Sequence, residues 1–312
     1  MSTTDRSNGM IPSRWWDSDI LYRFRRSPVA VVSGIVTIAL IAAAIGADVI
    51  APFDAFDPAT ANVIDARLPP GSEGIYGDIY LLGTDPQGRD MLSAMIYGLQ
   101  TSLVVGLSSI ALAAFVGVLL GLLAGYFGGM LDALIMRIAD VQLSFPAILI
   151  ALLIDGVTRT ALSRETHERL AVPILIAAIA ASFWVQYART VRSLVLTERG
   201  REYVLAAKVT GVSTTRILAS HILPNVLGPV LVIATINLAL AILTEATLSF
   251  LGVGIPSTQP SLGSLVRIGN EFIFSGDWWI SACPGALLVI LSLSVNLFGD
   301  WLRDALNPKL NA

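Results

Sequence analysis

The chain has 312 residues, of which 54% are hydrophobic and 14% are charged, and its formal net charge is −3. Soluble domains carry about 25% charged residues, so this composition excludes an ordinary soluble protein and predicts an integral membrane protein. The absence of a basic domain also argues against a protein that binds nucleic acid.

The N-terminal part of the chain is predicted to form a cytoplasmic tail, residues 1–28, and a first transmembrane helix, residues 29–51. A secretory signal peptide is the alternative, because Arg23, Arg25 and Arg26 precede the apolar run. A signal core has about 7 to 15 apolar residues, whereas this run approaches the ~20 residues that cross a bilayer. The length therefore favours an uncleaved membrane anchor.

Residues 52–98 form the longest polar stretch and are predicted to be an outer loop. Residues that break regular structure recur in it, namely Pro52, Pro58, Pro69, Pro70, Gly71, Gly74 and Gly77. The segment from Arg89 to Leu99 is expected to form a short surface helix that leads into the second span. Both a solvated connector and a role in gating or partner contact stay open for this loop.

Five further apolar stretches approach the length of a transmembrane helix. They are residues 101–124, 138–155, 170–188, 223–244 and 279–299. Asp140, Gln142 and Pro146 interrupt the start of the third span, residues 138–155. The sequence thus predicts an all-α membrane protein with six transmembrane helices, a core over residues 99–300 and a C-terminal tail over residues 301–312.

Small residues recur every four positions in the second span, at Ala113, Gly117, Gly121 and Gly125. This spacing places them on one helix face, where small side chains allow two membrane helices to approach closely. Plain helix packing is favoured over a face that lines the transport path.

The distribution of basic residues predicts the orientation, because Lys and Arg gather in short cytoplasmic loops. Of the 20 Lys and Arg residues, those predicted outside are Arg67, Arg89, Arg159, Arg164, Arg169 and Arg267. The other 14 fall in segments predicted inside if both termini are cytoplasmic. Residues 189–222, between the fourth and fifth spans, would then be a cytoplasmic loop.

That loop is predicted to contain two short helices joined by a tight turn. Ala206 and Ala207 would let a helix lie close to a partner, and Gly211 can adopt the left-handed conformation that ends a helix. Ser213 can cap the helix that follows. The segment from Ala206 to Ser213 also resembles the centre of a helix-turn-helix, but flanking spans and an acidic net charge argue against DNA binding.

Polar residues at spacings of four in the fifth span trace an arc that contains Asn237, Glu245 and Ser249. A carboxylate within a membrane span is costly unless it is paired, hydrated or neutral. The arc is expected to face a partner subunit or the transport path, and a local hydrogen bond at the end of the helix is the alternative.

Residues needed for independent ATP hydrolysis or metal chemistry are absent from the sequence. The only lysines are Lys208 and Lys309, and neither follows a glycine, so no phosphate-binding P-loop can be formed. The single Cys283 permits no internal disulfide and no paired-cysteine metal site. The chain is therefore expected to have no catalytic residues, no metal site and no bound cofactor.

Other titratable residues do not form a recognisable catalytic motif. Asp140 and Glu245 lack a partner motif for intramembrane hydrolysis. His167 lies beside Glu165 and is predicted on a solvated face, whereas His221 is expected to support the loop in which it lies.

Four stretches of the chain carry motifs that occur in a fixed order. The first, before the second span, contains Gly83, Thr84, Asp85, Gly88, Arg89 and Asp90. The second begins at Gly125-Tyr126-Phe127-Gly128-Gly129, and the fourth runs from Leu248-Ser249-Phe250-Leu251-Gly252 to Gly299-Asp300. The third contains Glu202, Tyr203, Ala206, Ala207, Lys208, Gly211, Ile217, Leu223 and Pro224. Together they resemble the C-type permease of the dipeptide, oligopeptide and nickel class of ABC importers, in which the first stretch is similar to the outer entry signature and the third to the ATPase-docking loop.

Two departures from the family pattern affect what the resemblance implies. Leu205 stands where the family usually has an acidic residue, and Asn307-Pro308 replaces Asp-Pro. The first change puts in doubt an ionic contact from that position to the ATPase.

The resemblance implies a type I ABC importer permease in the bacterial inner membrane, surrounded by lipid. Its implied partners are a second, B-type permease, two cytoplasmic ATPases that bind ATP and Mg²⁺, and an outer solute-binding protein. The implied function is ATP-driven import of short peptides by alternating access. A chelated metal such as nickel or a glutathione-like solute is the alternative cargo, and a passive channel is a remote alternative.

Overall fold

The computed structural model describes residues 24–54, 62–256 and 259–306, which form a bundle of long helices. In chain order the helices are α1 (Pro28–Ile45), α2 (Ala47–Ile50), α3 (Met91–Phe127), α4 (Gly129–Leu143), α5 (Ala147–Ala161), α6 (Arg164–Glu198), α7 (Glu202–Val209), α8 (Thr214–Ile217), α9 (Leu223–Phe250), α10 (Leu262–Asn270) and α11 (Trp279–Leu306). Strands β1 (Ser72–Glu73) and β2 (Ile79–Tyr80) pair antiparallel in the loop before α3. Most of the predicted N-terminal tail and the Asn307-Pro308 departure lie outside the described residues.

Among the described residues, five helical segments are long and apolar enough to cross a membrane. The predicted third span, residues 138–155, is wrong as a single helix, because α4 and α5 meet there at an angle of 95°. Pro146 lacks a backbone N–H and disfavours a helical conformation at the residue before it, so the helix ends at Leu143 and restarts at Ala147. Counted as one broken span, the pair completes six.

Several helices are longer than the predicted spans. Helix α3 has 37 residues and α6 has 35, so each extends over roughly 50 Å, beyond the ~30 Å hydrocarbon layer. The predicted fourth span, residues 170–188, continues as helix to Glu198, and the loop predicted from residue 189 begins ten residues later. Helix α11 likewise continues into the predicted C-terminal tail, as far as Leu306.

The predicted outer loop ends before residue 98, because α3 begins at Met91. The Asp90 side chain caps this helix by accepting a hydrogen bond of 2.7 Å from the Ser93 backbone N–H. The expected surface helix from Arg89 to Leu99 is therefore the start of α3. Its residues are buried against α10 and α11, with Met91 and Leu99 almost completely inaccessible to solvent.

The small-residue face of α3 packs against α6, as the sequence predicts. A Cβ atom placed on Gly117 would lie 2.5 Å from the Trp184 carbonyl oxygen, and one on Gly121 would lie 2.6 Å from that of Ala188. These distances are too short for any side chain larger than hydrogen. Glycine therefore allows α3 and α6 to approach each other closely.

Candidate functional site

The segment between α6 and α9 adopts the predicted helix, tight turn, helix arrangement. Gly211 lies between α7 and α8 with φ of +78°, in the left-handed region that favours glycine. No atom lies within 4 Å of a Cβ built on this residue, so the requirement for glycine is conformational and not steric. Ser213 occupies the cap position of α8, but its side chain makes no capping hydrogen bond.

One face of this segment packs on its own chain. Val204 and Ile217 are buried in the core that α3, α6 and α9 share, and Leu223 packs against the edge of that core. Ala207 is only 8% exposed and belongs to the same core, so the prediction that it lies at a partner contact is wrong. Its small size instead allows α7 to lie close to the bundle.

The opposite face of the segment is exposed and combines polar residues with apolar side chains on α7. Val209 is 89% exposed and Leu205 is 48% exposed, and Glu202, Ala206 and Pro224 are also on the surface. Leu205, the residue that departs from the family pattern, thus adds apolar rather than ionic surface. Exposed apolar side chains that cluster on one helix are typical of a protein contact.

Tyr203 joins this segment to both of the long helices that flank it. Its hydroxyl donates a hydrogen bond to the Glu198 carboxylate at the end of α6 and accepts one of 2.8 Å from Asn225 Nδ2 at the start of α9. Burial, reinforced by the bond to Glu198, raises the pKa of Tyr203 above its usual value. The hydroxyl therefore keeps its proton near neutral pH, and the link is maintained.

Two cationic side chains connect the same region to the end of α3. Lys208 Nζ lies 4.9 Å from the centre of the Tyr126 ring, within the range of a cation–π interaction. Arg199 Nη1 donates a hydrogen bond of 3.0 Å to the Gly125 carbonyl oxygen. The sequence analysis predicts a docking role for Lys208 but neither of these contacts. They join residues about 70 to 80 positions apart, and no local pattern indicates them.

The polar arc of α9 lies inside the chain, contrary to the expected position facing a partner or a path. Glu245 is 0% exposed, and its two carboxylate oxygens accept hydrogen bonds of 2.7 Å from the hydroxyls of Ser102 and Ser249. Asn237 is also buried and donates a hydrogen bond of 3.0 Å to Gln186 on α6. The bond from Ser249 is the predicted alternative, a local hydrogen bond near the end of the helix, whereas the bonds to Ser102 and Gln186 join α9 to other helices.

The outer entry signature forms a buried structural cap. The Asp85 carboxylate accepts a hydrogen bond of 2.7 Å from Arg89 Nε, and both side chains are largely inaccessible to solvent. Thr84 accepts a hydrogen bond of 2.8 Å from the Leu68 backbone N–H.

The glycines of the signature are required by backbone conformation and close packing. Gly83 and Gly88 have positive φ, and a Cβ on Gly88 would lie 1.9 Å from the Asn62 carbonyl oxygen. These residues hold the loop onto α3.

Two further titratable residues have neighbours that the sequence does not indicate. Asp140 forms an ion pair with Arg189 on α6. His167 is not on a solvated face: it is 8% exposed, and its Nε2 lies 3.3 Å from Asp155 Oδ1 without the geometry of a hydrogen bond. The neighbouring glutamates suggested exposure, but the helix turns His167 towards α5. His221 supports its loop, as predicted, with Nδ1 3.4 Å from the Arg216 carbonyl oxygen.

Comparison with known proteins places these features in a family. Residues 117–312 match the binding-protein-dependent transport system inner membrane component, and residues 13–70 match the N-terminal transmembrane domain of oligopeptide transport permease C. The dipeptide transport system permease protein DppC of Haemophilus influenzae is 37% identical over 84% of this chain and 85% of its own length. The oligopeptide transport system permease protein OppC of Bacillus subtilis is 34% identical over 94% and 89%, respectively.

A solved structure supports the fold. A chain of the MetNI methionine ABC transporter in an inward-facing conformation aligns with 70% of this chain and 98% of its own length, with a TM-score of 0.54 and 20% identity. The architecture is thus that of a type I ABC importer permease. The chain belongs to the family of inner membrane components of binding-protein-dependent transport systems, as a multi-pass, C-type permease.

Proposed function

We propose that this chain is one permease subunit of an ATP-driven importer of short peptides. It pairs with a second, related permease, two cytoplasmic ATPases that bind ATP and Mg²⁺, and an outer solute-binding protein. The names of the DppC and OppC relatives support a peptide cargo. The chain takes part in transport, and hydrolysis of ATP occurs on its partners.

The observation that carries the proposal is the two-sided segment between α6 and α9. Its exposed face, with the apolar side chains of Leu205 and Val209, is suited to a groove on an ATPase, and its buried face is joined to the bundle. The Tyr203 hydroxyl and the Lys208 ammonium connect it to α6, α9 and α3. Movement of a bound ATPase would therefore move three long helices together.

This linkage supports alternating access as the mechanism. When ATP closes the ATPase dimer, the docking helices approach each other and the attached helices of the two permeases change their relative tilt. The shared path between the permeases then opens to the other side of the membrane. The orientation that this requires, with both termini in the cytoplasm, agrees with the positive-inside distribution of Lys and Arg.

The substrate class is tested by ATPase stimulation in the reconstituted complex. The solute-binding protein is loaded in turn with a dipeptide, a pentapeptide, glutathione or a nickel chelate, and ATP hydrolysis is measured at equal binding-protein concentration. We expect a peptide to stimulate hydrolysis most strongly. Stimulation by the nickel chelate or by glutathione alone would replace peptides with one of the alternative cargoes.

A further inference from the structure

A polar cavity lies at the end of the bundle opposite helices α7 and α8. It has a volume of about 560 Å³ and is formed where the end of α5, the start of α6, the turn after α9 and helix α10 meet. Arg159, Arg164, His167, Gly252 and Arg267 are among the residues that line it. This volume is typical of sites for small molecules, which occupy about 300 to 1,000 Å³.

Ion pairs neutralise two of the three guanidinium groups that line the cavity. Arg159 Nε lies 2.6 Å from Asp155 Oδ2, and Arg164 Nε lies 2.9 Å from Glu168 Oε1. For the third, Arg267, no carboxylate of the described residues lies within ion-pair distance. The guanidinium of Arg267 is therefore the uncompensated positive charge among the three arginines of the cavity.

The backbone beside Arg267 leaves room for its guanidinium group. Gly252 has φ of +80°, and a Cβ on this residue would lie 2.5 Å from Arg267 Nη1. Arg159 Nη2 reaches the same turn and donates a hydrogen bond of 3.2 Å to the Gly252 carbonyl oxygen. His167, more than nine-tenths buried, also lines the cavity with its Nε2 lacking a hydrogen bond within the described part of the chain. Two guanidinium groups thus reach one turn, and an imidazole lines the same cavity.

We propose that this cavity binds the C-terminal carboxylate of a peptide, with Arg267 as the principal contact. The assignment rests on the proposed function, because an unpaired guanidinium binds carboxylate and phosphate equally well in geometry and peptides supply the former. In the proposed orientation the cavity opens on the side from which the solute-binding protein delivers its cargo. The small volume argues against a protein surface as the ligand.

The test measures binding of dialanine and of dialanine amide to the complete transporter in nanodiscs without the solute-binding protein. Saturation-transfer NMR gives the dissociation constant of each probe. Arg267→Gln removes the proposed contact. Arg169→Gln is the control, because Arg169 is an exposed arginine near the start of α6, pairs with Glu165 and does not line the cavity.

We expect Arg267→Gln to weaken dialanine binding about 10-fold, the scale of one charge-assisted hydrogen bond, and Arg169→Gln to leave it unchanged. Dialanine amide should bind the parent about 10-fold more weakly than dialanine, with no further loss in Arg267→Gln. The assignment is overturned if the parent does not bind dialanine, if the amide binds equally well, or if Arg267→Gln binds like the parent. Displacement of dialanine by an equal concentration of inorganic phosphate would also overturn it, because the site would then be a general anion site.

Uptake by the parent separates this assignment from the proposed function. A parent complex that imports dialanine but whose Arg267→Gln variant binds the probe normally would refute the cavity assignment alone. A parent complex that imports no peptide would refute the proposed function itself.

Discussion

At the scale of single residues, Glu245 shows how a membrane protein accommodates a buried carboxylate. Its oxygens bond to Ser102 on α3 and Ser249 on α9, and the Ser102 hydroxyl also accepts a hydrogen bond of 3.3 Å from the Leu262 backbone N–H of α10. The carboxylate therefore joins three helices. A role in stability follows, in place of the direct contact with a partner or substrate that its position on a polar arc suggested.

Replacement of Glu245 with leucine should therefore destabilise the fold. Two buried hydroxyls would lose their acceptor, at a cost of about 1 to 3 kcal/mol each. Glu245→Gln keeps a polar group in place and should be affected less. Thermal unfolding in detergent measures both. Thr244→Val is the control, because among the described residues the Thr244 hydroxyl bonds only to the carbonyl oxygen of Leu240 in its own helix. A Glu245→Leu variant that unfolds at the parent temperature would contradict the structural role.

Gly211 supports a second prediction, on backbone conformation. A β-branched residue resists positive φ, and a residue forced into the left-handed region costs about 1 to 2 kcal/mol. Gly211→Val should lower substrate-stimulated ATP hydrolysis and uptake together, whereas Gly211→Asn should retain more of both, because asparagine tolerates this conformation.

The control for Gly211 is Gly156→Val. Gly156 has equally open surroundings but does not have positive φ. If Gly211→Val assembled with its ATPases and coupled hydrolysis to uptake like the parent, the turn would have no role in coupling. Loss of assembly alone would instead identify Gly211 as a folding requirement.

At the scale of elements, the docking segment acts through its attachments. Tyr203→Phe removes the hydroxyl that bonds to Glu198 and Asn225 and keeps the ring. We expect normal assembly but a several-fold lower ratio of peptide transported to ATP hydrolysed, because α7 would move with less effect on α6 and α9. Tyr76→Phe, at an exposed tyrosine in the loop before α3, is the control. An unchanged ratio in Tyr203→Phe would show that packing alone carries the movement.

The elements also show what sequence patterns could and could not predict. The four-residue spacing of Gly117 and Gly121 correctly predicted a packing face, because close helix contact depends on local periodicity. At Pro146 the sequence predicts only an interrupted span and not the bend of 95°, since hydropathy detects the length of an apolar segment but not its direction. The links from Tyr203 to Asn225 and from Lys208 to Tyr126 depend on helices that meet only in the folded bundle.

The same difference between local patterns and long-range contacts separates the site residues that the sequence could predict from those that it could not. The left-handed turn at Gly211 is predictable from the residue type alone, because few residues other than glycine adopt positive φ without strain. The burial of Ala207 and Asp85 was not, because a small or charged residue in a loop can face either a partner or its own chain. Only the packed structure distinguishes these two cases.

At the scale of the whole molecule, the bias of basic residues predicts cytoplasmic termini. Single cysteines placed at Ser72 or Ser213 in a Cys283→Ser background can be tested with an impermeant thiol reagent in whole cells. We expect labelling at position 72, in the hairpin loop before α3, and protection at position 213, in the docking segment. Labelling at position 213 with protection at position 72 would reverse the orientation and place the docking segment on the side without ATP.

The central claim is that this permease couples ATP hydrolysis on its partners to peptide import. The most direct measurement is accumulation of labelled dialanine in proteoliposomes that contain both permeases and both ATPases, with and without ATP and the solute-binding protein. The proposed mechanism requires accumulation above the external concentration only when both are present. Equal flux without ATP, reaching only the external concentration, would show a passive channel and contradict the claim.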